Sequence, residues 1–482
     1  MTTLGVPKMS SQHGAPSGRP RAWVSVETIQ LIGMESQREG FWPGLFSLKC
    51  NIGWEIVPFI SLFLAPTITD LDLTLPRDQN NRLLQPTLSL LSHACRQLRS
   101  MRMDVDTSCP QSGAEMGRLI SASRNTLHRI DIRSSTPPEI FPVIFNLPLL
   151  RTLILQEPRL PDQSPAEILP SLETIDFNGN HGPNLAQFFG GLSVQKLVAV
   201  SVRCGGIIQL PTSLDSLCGA TATVNRLYLS PVAALDRSSI TLLRTFTNLT
   251  SLIIRCVCES REMNWPCSFQ LTNEDLLDLG GALPHIRALD LGQGCRRACH
   301  VTFKSLICLS RTCGNLETLS IRVDFASIVD GSDQPGRGNA SIRDNGARPQ
   351  RERSRLWILA VGNSPLPDVP RCEWIVALAL VTIFPSIQYV FSSCSSEMNR
   401  RWNGVWGDIL VCQKIFHITQ AEGKCLRSYR LFSVISIPIR SIQTPLWFCK
   451  LVEGSHRPQV ASTTSIAIGS AIGTRYIGVS FK

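Results

Sequence analysis

The stretch Ser171 to Asn180, SLETIDFNGN, decides the fold. Its apolar residues Leu172, Ile175 and Phe177 stand at i, i+3 and i+5, and Asn180 closes the run, so it reads L-x-x-L-x-L-x-x-N. In an extended chain alternate side chains share a face, so Ile175 and Phe177 point one way and Thr174, Asp176 and Asn178 the other. A near copy, NLETLSIRVD, occupies Asn315 to Asp324.

The same apolar spacing returns at thirteen places. It begins with Leu45/Leu48/Cys50, Ile68/Leu71/Leu73, Leu98/Met101/Met103, Leu127/Ile130/Ile132, Leu150/Leu153/Leu155 and Leu172/Ile175/Phe177. It continues through Leu197/Val200/Val202, Val224/Leu227/Leu229, Leu249/Leu252/Ile254, Ile286/Leu289/Leu291, Leu316/Leu319/Ile321 and Leu356/Leu359/Val361 to Ile387/Val390/Ser392, where the last member is polar. The mean period is about 28 residues, within the range of leucine-rich repeats. One strand cannot bury its apolar face alone, so neighbouring copies must stack. The reading is therefore α/β: a leucine-rich-repeat solenoid with a curved parallel sheet on the concave side, helices on the convex side and irregular repeats. The core is expected to hold Leu153, Leu155, Ile175, Phe177, Leu252, Ile254, Leu289, Leu291, Leu319 and Ile321, with Ala288, Asp290 and Gly292 facing out. The signature Asn recurs nowhere else. Ser135, Pro158, Gly205 and Asp324 stand in its place, so the turns vary.

Helical segments fit between the strands. Thr302 can cap a helix that buries Phe303, Leu306, Ile307 and Ser310. Thr272 and Asp275 form a capping-box analogue ahead of Leu276, Leu277 and Leu279. The apolar run Trp374 to Phe384 is too short to cross a bilayer and reads as a buried helix. Trp402 and Trp406 read as one packed face of another helix.

Charged residues make up 17% of the 482-residue chain and hydrophobic ones 43%, the balance of a folded protein. The net charge of +10 is concentrated in the tail, where Lys424, Arg427, Arg430, Arg440, Lys450, Arg457, Arg475 and Lys482 face one acid, Glu453. The repeats keep too little surplus to suggest nucleic-acid binding. The seventeen cysteines are odd in number and scattered, and no signal peptide opens the chain. These features predict reduced thiols and a cytoplasmic or nuclear location, with no membrane contact. Residues 1–40, rich in Ser, Gly and Pro at first, are expected to be disordered. Residues 41–410 form the repeat array, with the polar stretch 330–355 looping out, and 411–482 is a basic tail of unknown structure, with a short strand-like run at 433–442.

The runs GLFSLKCN at Gly44 to Asn51 and IVPFISLFLAPTITDLDLTL at Ile56 to Leu75, then LPSLETIDF, CGNLETLSI and SRLWILAVGNSPLPD at Ser354 to Asp368, resemble fungal F-box/leucine-rich-repeat proteins. The likeness spans roughly residues 41 to 410. It implies a protein-protein interaction scaffold whose repeats receive a ubiquitin-ligase substrate. In that family an N-terminal F-box binds the adaptor of a cullin-RING ligase. The residues before Phe41 lack its Leu-Pro-x-Glu opening, so adaptor binding is expected only with an F-box upstream of Met1. Pro137-Pro138-Glu139-Ile140 is the nearest look-alike and reads as a repeat's own helix. The alternative is a leucine-rich-repeat regulator of an enzyme, such as a GTPase-activating protein.

The chain holds no P-loop, no H-E-x-x-H, no G-x-S-x-G and no strand-linked G-x-G-x-x-G, so no enzyme activity and no cofactor is expected. Cys256, Cys258, Cys267, Cys295, Cys299 and His300 are the best metal candidates. Their spacing matches no established zinc pattern, so they read as small buried hydrophobes and loop thiols, with no metal. The candidate protein-binding residues lie on the outward strand face: Arg203, Arg226, Tyr228 and Arg255, a basic and aromatic patch for an acidic protein segment. Arg102, Arg129, Arg133, Arg322, Asp70, Asp72, Asp104, Asp131 and Asp176 share that kind of position, where cross-strand pairing is the simpler expectation.

Overall fold

The computed structural model describes residues 22–23, 45–51, 57–75, 83–105, 110–158, 167–179, 188–189, 192–193, 196–232, 234–259, 268–292, 295, 300–329, 354–392, 396–421 and 476–481. The readings of 1–21 and 24–40, the 330–353 stretch, the 433–442 run and Asn180 lie outside them. Contacts divide the chain into two units. One is Met1–Ile208 with Thr212–Val224 and Arg475–Lys482; the other is Gln209–Pro211 with Asn225–Thr474.

In the first unit seven parallel strands lie side by side in chain order: β1 (Leu45–Asn51), β2 (Asp70–Thr74), β3 (Ser100–Asp104), β4 (Arg129–Thr136), β5 (Thr152–Pro158), β6 (Thr174–Gly179) and β7 (Ala199–Ile208). The second unit continues the pattern with β8 (Arg226–Val232), β9 (Ser251–Cys256), β10 (Ala288–Leu291), β11 (Thr318–Ile321), β12 (Ile358–Gly362) and β13 (Tyr389–Ser392), each parallel to the next. The second and third members of each of the thirteen frames fall on one of these strands, and the register aligns them: Leu227, Leu252, Leu289, Leu319, Leu359 and Val390 form one row. Every apolar frame residue is buried; Ser392 is the half-buried exception. Such a residue contributes about 1.5 to 3 kcal/mol on burial.

The alternation of burial fails at several outward positions, among them Asp131 and Ala360. Asp290 and Gly292, expected to face out, are both buried. Gly292 has φ +60, and a Cβ there would stand 2.6 Å from Phe269 Cε1. Phe269 belongs to the short strand Ser268–Phe269, which pairs with Ala234–Leu235 and covers the strand end.

Helices carry the chain back between strands: α1 (Leu84–Ala94), α2 (Pro110–Ala122), α3 (Arg237–Leu243), α4 (Asn273–Ala282), α5 (Phe303–Thr312), α6 (Cys372–Ile383) and α7 (Ser396–Ala421). α4 has the capping box read from sequence. Thr272 Oγ1 accepts from Asp275 N at 3.2 Å, and Asp275 Oδ2 accepts from Thr272 N at 3.0 Å. α5 is capped by Thr302 but buries Phe303, Ser305, Leu306 and Leu309, leaving Ile307 and Ser310 half-buried. The reason is a close approach to α4: a Cβ at Gly280 would meet Leu309 Cδ2 at 3.0 Å and Thr312 Oγ1 at 2.8 Å. That crossing draws the 306/309 edge of α5 inward. Pro138–Ile140 is one short 3-10 turn leading into the helix Phe141–Phe145, whose rings join Phe177 and Phe188 in an aromatic core.

α7 crosses the boundary drawn at position 411 and closes the second unit. Trp402 is fully buried, its ring 5.2 Å from Phe325, with Nε1 donating to the Ser364 carbonyl at 3.1 Å. Trp406 instead is 36% exposed, so the two indoles do not share one packed face. In earlier repeats the carbonyls of Thr250, Arg287, Glu317 and Trp357 each accept two backbone N–H groups from the next repeat. At the last repeat the matching carbonyl, Gln388, accepts from Trp406 Nε1 at 2.9 Å. A side chain thus takes the place of a missing repeat, the capping that a stacked array needs. In the first unit Tyr476–Phe481 lies antiparallel beside β1, so the tail supplies a strand; Ala22–Trp23 pairs with it in turn. No helix among the described residues is long and apolar enough to cross a membrane.

Candidate interaction face

Residues between the inward rows project from the opposite side of each sheet. In the first unit register aligns Lys49, Asp72, Arg102 and Asp131, a row of alternating charge. Lys49 to Asp72 is 3.1 Å, Arg102 to Asp72 3.5 Å and Arg102 to Asp131 3.8 Å. Arg129 and Arg133 also reach Asp131, at 3.7 and 3.3 Å, so this carboxylate is 1% exposed beneath three guanidinium groups. Arg203 belongs here as well, with Nη2 3.9 Å from Asp176. Ion pairing, across strands and within β4, is thus what these residues do. The more exposed pairs, such as Lys49 with Asp72, typically contribute under about 1 kcal/mol each.

The second unit differs. Register sets Arg226, Ser251, Ala288, Thr318, Ile358 and Tyr389 in one outward row, and Tyr228, Ile253, Asp290, Ser320, Ala360 and Phe391 in the next. Arg226 is exposed. Arg255 lies with its Cζ 5.7 Å from the Tyr228 ring centroid and its Nε 3.8 Å from Asp290. Tyr228 and Arg255 are therefore brought together as read from sequence, with Arg226 two residues before Tyr228 on the same strand. The acid facing Arg255, Asp290, comes from the neighbouring strand.

At the far end of the same rows the face is aromatic. Trp357, Tyr389 and Phe391 are 37%, 49% and 48% exposed, and the Trp357 and Tyr389 rings meet edge to face at 6.3 Å. These residues were not among the candidates. The frame itself contained the signal, since Val390 pointing inward places Tyr389 and Phe391 outward. Strands stand about 4.8 Å apart, so Arg226 and Tyr389 end a face about 24 Å wide with Ser251, Ala288, Thr318 and Ile358 between.

Of the metal candidates, Cys256, Cys258 and Cys295 are gathered, their Sγ atoms all within 4.8 Å of one another. Cys267 and Cys299 lie outside the described residues, and His300 is an exposed residue bridged to Thr272. Of the other thiols, burial pushes Cys50 and Cys95 up to about 12, and Cys204 and Cys412 up to about 11. No family model and no curated protein matches this sequence.

Proposed function

We propose that this chain is a protein-protein interaction scaffold built of leucine-rich repeats, and that the outward face of β8 to β13 receives its partner. One observation carries the reading: a register-aligned face, mostly of uncharged side chains, bounded by Arg226 and Arg255 at one end and by Trp357, Tyr389 and Phe391 at the other. Arg, Trp and Tyr are the residue types that most often anchor interfaces. The partner is an extended protein segment with acidic groups against Arg226 and apolar groups against the aromatic end. About seven extended residues cover 24 Å. The resemblance to F-box/leucine-rich-repeat proteins makes a ubiquitin-ligase substrate the first class of partner to seek.

The test is affinity purification of the full chain from cell extract, with partners identified by mass spectrometry and their binding then measured. Arg226→Ala and the pair Tyr389→Ala with Phe391→Ala are each expected to weaken a true partner roughly tenfold or more, the loss seen when anchors are truncated. Unaltered affinity in both would remove this face from the function.

A further inference from the structure

We propose that Cys256, Cys258 and Cys295 bind one thiophilic divalent cation of the zinc class, held by three thiolates with its fourth position open to solvent. The three Sγ atoms lie within 4.8 Å of one another, and none of the three is in a disulfide. Zn–S bonds are about 2.3 Å, which sets tetrahedral sulfurs about 3.8 Å apart, so side-chain shifts of about 1 Å or less close the site.

The fold explains the gathering. β9 ends at Cys256, still in the inward row of Leu252 and Ile254, and that thiol is 1% exposed. The 3-10 turn Val257–Glu259 then folds the chain over its own strand end, placing half-buried Cys258 two residues on. From the adjacent strand, Gly292 N donates to the Ile254 carbonyl at 2.9 Å, and Cys295 N donates to the Gly292 carbonyl at 2.9 Å. The left-handed backbone at Gly292 makes that turn, and it brings Cys295, 5% exposed, beside the other two. The cluster therefore sits at the carboxyl ends of two neighbouring parallel strands, where parallel sheets commonly bind ligands.

The chemistry is consistent. Each thiol gives up its proton on binding, so three protons are released and affinity falls with falling pH. Three thiolates and one divalent cation leave one negative charge. Arg322 Nη1 donates to the Cys295 carbonyl at 3.0 Å, which holds a guanidinium close enough to offset it. Cys258 is the solvent-facing ligand and gives the ion a way in, while Cys256 and Cys295 form the dry wall.

The experiment uses the full chain, purified with reductant, stripped by chelator and titrated with Zn²⁺ and Co²⁺. One Zn²⁺ per chain should survive a competing chromophoric chelator, and Co²⁺ should give a thiolate-to-cobalt charge-transfer band. Zn²⁺ should slow alkylation of Cys258, mapped by peptide mass spectrometry, roughly tenfold or more, because the metal removes the free thiolate. This readout needs no variant. Cys258→Ser, at the half-exposed position, should abolish retention, whereas Cys308→Ser on α5 should not. Failure to retain Zn²⁺, retention that survives Cys258→Ser, or a disulfide between any two of the three in the reduced preparation would each overturn the proposal.

Discussion

Leu289 is 3% exposed and stands in register between Leu252 and Leu319, the middle of an unbroken apolar row. Leu289→Ala opens a cavity that neighbouring strands cannot collapse to fill, and chemical denaturation is expected to show a loss of about 2 to 5 kcal/mol. The outward residues separate into two kinds. Arg226 is exposed, so Arg226→Ala should leave the melting temperature almost unchanged. Arg255 covers the Tyr228 ring and faces the nearly buried Asp290, so Arg255→Ala leaves a carboxylate with less compensation and is expected to cost about 1 to 3 kcal/mol in the same assay. Equal melting temperatures for the two variants would contradict this division.

At the level of elements, the turns and the closing helix matter more than helix propensity. Gly292 allows a positive φ and a close approach by Phe269. Gly292→Ala combines backbone strain with a clash against a ring, and a loss of about 2 kcal/mol or more is expected in thermal unfolding. α7 offers a comparison of two tryptophans. Trp402→Ala removes a fully buried ring against Phe325 and should cost about 3 to 5 kcal/mol. Trp406→Phe removes only the N–H that caps the exposed Gln388 carbonyl, which water can replace, so about 1 kcal/mol or less is expected. The reverse order would mean that α7 is not anchored as described.

Over the whole molecule the stacking leaves thiols in both units where only their neutral form is comfortable. The folded thiols of Cys50 and Cys95 sit at about 12 and those of Cys204 and Cys412 at about 11, while an unfolded thiol ionises near about 8.5. Above that value the unfolded state loses protons first, so these groups contribute stability that is full below about pH 8.5 and lost as pH rises toward 11 to 12. Urea unfolding at a series of pH values should show stability falling above about pH 8.5, by up to about 1.4 kcal/mol per pH unit for each thiol. A flat profile from pH 8 to 10 would mean that these thiols are accessible. Their alkylation at neutral pH should accordingly be slow beside that of exposed Cys218.

The inward residues of β1 to β13 were legible in the sequence because a strand's two faces differ in polarity at fixed spacing, a local property that survives without knowledge of neighbours. The Thr272 box and the Thr302 cap were legible for the same reason: each is completed within three residues. What joins different repeats was not. Cys256 and Cys295 are far apart in sequence at strand ends whose turns differ in length, and only the register Ile254 to Leu291 makes them neighbours. The burial of Asp290 depends on Arg255 one strand away, and that of Gly292 on Phe269. The cap supplied by Trp406 carries no periodic signal, because it is a single side chain answering one carbonyl left over when the repeats stop. The sequence alone therefore determined where the strands lie and which way they face. The tertiary structure decided which charges are neutralised, which aromatics stay exposed and which thiols meet, because each of these depends on a contact across a turn rather than along a strand.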